Sequence, residues 1–129
     1  MPHTILIVDD DEDFVTVLSE VLQASGFQTF AAYSGVEGVA KARTERPDAI
    51  VLDVTMESAG AGFKAARELR KDETTRDTPL IMLTAINQGD AGLRYGADED
   101  WNPVDVFLDK PVTGDQVLAE INKILPAES

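Results

Sequence analysis

The sequence predicts an α/β fold in which a parallel sheet is covered by helices on both faces, and three observations carry that prediction. Short, continuous aliphatic runs such as Ile5-Leu6-Ile7-Val8 suit strands buried on both faces. Strand-like and helix-like segments alternate about five times, without internal repeats or low-complexity tracts, which implies right-handed crossovers between parallel strands. Residues able to do chemistry stand just after the apolar runs, at the carboxyl ends of strands, where open parallel sheets place their sites.

The first strand, Ile5 to Val8, stops at a block of carboxylates. From Asp13 the spacing becomes helical, with Phe14, Val17, Leu18, Val21 and Leu22 on one stripe and Gly26 as the stop signal. Phe27 to Ala32 reads as a shorter, weaker strand. Ser34 and Glu37 have capping-box spacing for a helix reaching about Thr44, and Pro47 closes the unit. Ala49 to Leu52 is a fully apolar strand ending at Asp53; after a glycine-containing loop, Phe63, Ala66, Leu69 and Arg70 mark the third helix. Pro79 introduces a strand from Leu80 to Leu83 that ends at Thr84. Between Ala85 and Pro103, the breakers Gly89, Gly92, Gly96 and Pro103 predict mostly loop, with a short helix at best. Val104 to Leu108 is the last strand, ending at Asp109-Lys110-Pro111. Thr113 and Gln116 form a second capping box, opening a helix striped by Val117, Leu118, Ile121, Ile124 and Leu125 until Pro126.

Composition narrows the function. A chain of 129 residues predicts a single domain over 1–129, with its core at about 4–125 and no separate output domain. Its 11 basic and 24 acidic residues give a net charge of −13, so phosphate backbones and anionic lipid would repel it. Direct binding to nucleic acid or membrane is thus not expected, and any DNA output belongs to a partner. There is no cysteine, and the single histidine, His3, lies on the N-terminal tail, so thiol nucleophiles, serine triads and multi-histidine metal sites lack their parts. No basic leader and no apolar run near the ~18 residues of a membrane span is present, which predicts a cytoplasmic protein.

Asp9 and Asp10, Asp53, Thr84 and Lys110 all fall at one sheet edge. Three converging carboxylates repel each other, and a hard divalent cation with oxygen ligands relieves that. Magnesium together with Lys110 would balance the three negative charges. Asp11, Glu12 and Asp13 suit the positive end of the first helix dipole instead, an assignment also open to Asp9 and Asp10.

The segments Ile5-Leu6-Ile7-Val8-Asp9-Asp10-Asp11, Val51-Leu52-Asp53-Val54, Met82-Leu83-Thr84-Ala85 and Leu108-Asp109-Lys110-Pro111 resemble the receiver domains of two-component response regulators, over about Thr4 to Leu125. The resemblance implies a flavodoxin-like (CheY-like), doubly wound five-stranded sheet of order 2-1-3-4-5. It implies that Asp53 accepts a phosphoryl group from a sensor histidine kinase or phosphotransfer protein. Magnesium would be held by the Asp10 and Asp53 carboxylates and the Thr55 carbonyl, with Asp9 acting mainly through coordinated water. Lys110 would pair with the phosphoryl oxygens, Thr84 would move to bond them, and Phe107 would be the aromatic switch. Thr55 and Ile86, two residues beyond Asp53 and Thr84, would tune the lifetime of the phosphorylated state. The cognate kinase and the downstream partner are not identified by the resemblance.

Two regions depart from the family pattern. Met56 is followed by Glu57 rather than proline, and the loop Ser58-Ala59-Gly60-Ala61-Gly62 is longer by about a residue. The longer spacing from Thr84 to Lys110, with Trp101-Asn102-Pro103, predicts a shortened or irregular helix between the fourth and fifth strands, so that a dimer would not use the usual surface there. Two other readings fit parts of the pattern: a haloacid-dehalogenase-type phosphatase with Asp9 as nucleophile, and a non-phosphorylated pseudo-receiver that only binds.

Overall fold

The computed structural model describes residues 3–54, 61–85 and 105–125. Its strands are β1 (Thr4–Val8), β2 (Gln28–Ala32), β3 (Ala49–Asp53), β4 (Leu80–Ala85) and β5 (Val106–Lys110). They form one sheet in the order β2-β1-β3-β4-β5, every neighbouring pair parallel. The helices among the described residues are α1 (Glu12–Ala24), α2 (Gly35–Glu45), α3 (Ala61–Lys71) and a C-terminal helix, α4 (Gly114–Ile124).

Alternation along each strand divides the aliphatic runs between two cores. Leu6, Val8, Ile50, Leu52, Leu80 and Met82 point to the face covered by α2 and α3. Ile5, Ile7, Val51, Ile81 and Leu83 point to the face covered by α1 and α4, where they meet Val15, Leu18, Leu22, Val117 and Ile121. Each fully buried aliphatic side chain contributes about 1.5–3 kcal/mol, so a run such as Ile5-Leu6-Ile7 is stable only with helices on both sides.

Local chemistry fixes the element boundaries and moves several of the predicted ones. The Asp11 side chain caps α1 by accepting from the Phe14 amide, so the helix opens at Glu12 rather than Asp13. The inward face of α1 is Val15, Leu18 and Leu22; Val17, predicted on that stripe, is 57% exposed because it lies on the turn facing away from the sheet. Gly26 closes the helix at φ +99°, and the Phe27 amide donates to the Leu22 carbonyl. Phe27 is thereby spent on the helix end, and β2 starts at Gln28. Ser34 caps α2 as predicted, but Glu37 accepts from the Tyr33 amide, one residue beyond the capping-box partner. Thr113 and Gln116 form both bonds of a capping box. At the site edge, Thr84 pairs with Asp109 and Ala85 with Lys110, so β4 and β5 run further than predicted and Lys110 ends its strand instead of following it.

The start of α3 is held close to the end of β3. The Gly62 amide donates to the Val54 carbonyl at 2.8 Å, and a Cβ at Gly62 would stand 2.2 Å from the Asp53 carbonyl oxygen. No side chain fits there without moving backbone. Asp72, beyond α3, accepts from the hydroxyl and amide of Thr74 and pairs with Arg43 of α2. The Thr74 bonds, with a further contribution from Arg43, outweigh partial burial and hold the Asp72 carboxyl below the ordinary carboxylate range.

Two predictions follow from this packing. Gly62→Ala should destabilise the fold by about 1–3 kcal/mol, read as a lower urea midpoint, because overpacking here falls on backbone. A depressed carboxyl pKa stabilises the folded state above the unfolded value and loses that effect as pH falls through the folded one. Asp72→Asn should therefore flatten the decline of unfolding free energy below about pH 4; an unchanged slope in urea titrations across that range would contradict the assignment.

Candidate functional site

Period-two alternation sets the face on which each site residue lies. Asp53 ends β3 with the parity of Val51, Lys110 ends β5 with that of Val106 and Leu108, and Asp9 follows β1 with that of Ile5 and Ile7. All three therefore belong to the face covered by α1. Asp9 is 1% exposed and Asp53 6%. The Lys110 ammonium stands 3.3 Å from Asp9 Oδ2 and 3.3 Å from Asp53 Oδ1, bridging the ends of β1 and β3. Burial works against the charged form of Lys110, but Asp53 and then Asp9 outweigh it, and its pKa lies above the ordinary lysine value. The group is an ammonium at any physiological pH.

The acidic block after β1 splits by role. The Asp9 amide donates to the Ala32 carbonyl, extending the pairing with β2, and its Oδ1 accepts from the Asp11 amide at 3.0 Å. Asp10 is exposed, and its carboxylate joins Asp9 and Asp53 in a group whose oxygens lie within 4.8 Å of one another. Asp11 is the cap of α1, with Glu12 and Asp13 in its first turn. The helix-end assignment therefore holds for the last three acids, while Asp9 and Asp10 face the site. Three carboxylates and one ammonium leave two negative charges, and an all-oxygen donor set of that charge fits a hard divalent cation. A carboxylate so flanked can also act as a nucleophile toward phosphorus, where positioning and charge neutralisation are the main requirements.

Thr84 and Phe107 lie on the opposite face. Thr84 shares the parity of Met82, and its hydroxyl donates to Asp109 Oδ1 at 3.0 Å across the β4–β5 pair. Phe107 pairs with Met82 and is 39% exposed; its ring centroid lies 6.1 Å from that of Phe63 on α3. The structure thus brings Asp9, Asp10, Asp53 and Lys110 together and holds Thr84 and Phe107 beside them on the α3 side. Thr55, Ile86 and the irregular helix predicted between β4 and β5 lie outside the described residues.

Three contributing residues escaped the sequence reading. Phe14 packs beneath the Lys110 ammonium, 5.6 Å from nitrogen to ring centroid, within cation–π range. On the apolar stripe of α1 it read simply as core, and no local pattern pairs it with Lys110. Gly62 read as loop, although close backbone approach is a common use of glycine. Asp109 read only as the neighbour of Lys110; its bond to Thr84 depends on the strand register, which no local pattern displays.

Comparison with known proteins agrees with this geometry. The family described as the response regulator receiver domain matches residues 5–122. Protein PilH of Pseudomonas aeruginosa is 37% identical over 124 residues, covering 94% of this chain and 96% of that protein. The regulatory protein PhoP of Bacillus subtilis is 36% identical over 97% of this chain, which spans only 49% of it. Among solved structures, the chemotaxis response regulator CheY4 of Vibrio cholerae superposes with a TM-score of 0.82 at 27% identity, over 97% of this chain and all (100%) of that one. The receiver domain of a sensor histidine kinase from Pseudomonas aeruginosa, solved with a magnesium ion coordinated in its active-site cleft, gives 0.79 at 28% identity over 95% and 97%. The family match spans nearly the whole chain and displaces the dehalogenase-type reading: the chain belongs to the receiver domains of two-component response regulators.

Proposed function

We propose that Asp53 is the phosphoacceptor, loaded in the presence of magnesium from the phosphohistidine of a sensor kinase or phosphotransfer protein. The observation that carries this reading is the double contact of Lys110 to Asp9 and Asp53 beside a third carboxylate. An Asp53 carboxylate oxygen attacks phosphorus, the phosphorus–nitrogen bond to histidine breaks, and the imidazole leaves with a proton. Asp9, Asp10, Asp53 and the Thr55 carbonyl would hold magnesium, which supplies charge neutralisation at the phosphoryl oxygens. Lys110 then pairs with one of those oxygens. The added dianion offers Thr84 a new acceptor, and the exchange biases the arrangement of Thr84 and Phe107 that a downstream protein partner reads.

The net charge of −13 favours a protein partner over nucleic acid at the output step. Among the described residues no helix is long and apolar enough to cross a membrane. The pseudo-receiver alternative is disfavoured by the intact acidic, threonine and lysine set, and labelling decides it.

Acetyl phosphate with magnesium should add one phosphoryl group to the wild type by intact mass, and Asp53→Ala should lose it. Equal labelling of the two proteins would place the acceptor elsewhere. At the lifetime-tuning position, Ile86→Glu should shorten the life of phospho-Asp53 after donor removal in excess magnesium, because a carboxylate can hold the hydrolytic water that an apolar side chain excludes. Phosphate release no faster than wild type would remove Ile86 from that role.

A further inference from the structure

Asp109 is unused by the phosphotransfer reading, yet its carboxylate accepts a hydrogen bond from the Thr84 hydroxyl. By parity it points to the α3 face, with Phe107, while Asp9, Asp53 and Lys110 belong to the α1 face. It is not a member of the carboxylate cluster that fits a cation, which among the described residues is Asp9, Asp10 and Asp53. Its negative charge therefore serves neither the cation nor the ammonium.

We infer that Asp109 is a positioning residue that restrains Thr84 in the unphosphorylated state. This rests on the proposal that Asp53 is the acceptor. The Thr84 hydroxyl has one proton to donate, and a carboxylate 3.0 Å away is a strong acceptor for it. Before Thr84 can bond a phosphoryl oxygen on Asp53, that bond must break. Asp109 thus competes with the phosphoryl group for the same proton and lowers the population of the active arrangement at rest. The geometry makes the competition direct, since Thr84 and Asp109 are register partners at the ends of adjacent strands. Asp109 is exposed, and the bond competes with water, so the bias is a matter of several-fold rather than orders of magnitude.

The test is a set of binding titrations with beryllofluoride in excess magnesium, on wild type, Asp109→Ala, Asp109→Asn, Thr84→Ala and the Thr84→Ala/Asp109→Ala double variant. Removing the competing acceptor should tighten beryllofluoride binding by about three- to tenfold in Asp109→Ala. Asp109→Asn retains an acceptor oxygen without the charge and should tighten it less. In the Thr84→Ala background the effect of Asp109→Ala should vanish, because no hydroxyl remains to be held. Unchanged or weaker binding by Asp109→Ala overturns the inference. So does an effect that persists without the threonine, or one equally large in Asp109→Asn, since either would trace to long-range charge. Should Asp109→Ala fail to fold, the Asn variant alone and in the Thr84→Ala background decides by the same criteria. Wild type that neither binds the mimic nor is labelled at Asp53 would instead overturn the phosphoacceptor proposal.

Discussion

The Lys110 ammonium between Asp9 and Asp53 is the contact on which the working end of this domain depends. Two carboxylates almost removed from water, at the ends of adjacent strands, would repel each other and lose their hydration without it. The lysine comes from β5, two strands away from β3, so the bridge forms only if β3, β4 and β5 are in register. The sheet therefore carries the electrostatics: five parallel strands, held flat against helices by aliphatic packing, aim three charged side chains at one point. Phe14 on α1 supports the ammonium from below, tying the helix that follows β1 to the strand that ends the sheet.

The sheet also divides the residues at its edge between two faces. Residues of one parity carry the carboxylates and lysine on the α1 side; residues of the other parity carry Thr84, Asp109 and Phe107 on the α3 side. In the first set Asp9 and Asp53 are buried and both pair with Lys110, which favours a fixed geometry. The second is more exposed: Thr84 donates to Asp109, and Phe107 packs against Phe63 of α3. Gly62 lets α3, which carries Phe63, approach the backbone of Asp53 itself.

The strong negative charge is spread unevenly in its consequences. Asp11, Glu12 and Asp13 stabilise the opening of α1, Asp72 ties the turn after α3 to α2, and Asp105 joins Arg70 and the Leu80 amide where β5 begins. These acids cap, brace and pair elements of the fold. Asp9, Asp10 and Asp53 instead converge where β1 and β3 end, so position in the sheet, rather than acidity, distinguishes them.

Much of this is legible in the sequence itself. The apolar runs Ile5 to Val8 and Ala49 to Leu52 mark buried strands and the Thr113 and Gln116 pair marks the last helix, because each depends on residues close together in the chain; the short motifs ending at Asp9-Asp10, Asp53, Thr84 and Lys110, taken in order, carry the family resemblance. Tertiary structure decided what depends on neighbours distant in sequence. Val17 is exposed because the sheet lies on the other side of α1; β5 reaches Lys110 because β4 offers it partners; Asp109 meets Thr84 because the two strands share a register. Local sequence sets which conformation a segment favours. Which side chains meet is settled by how the segments pair, and that is a property of the whole sheet.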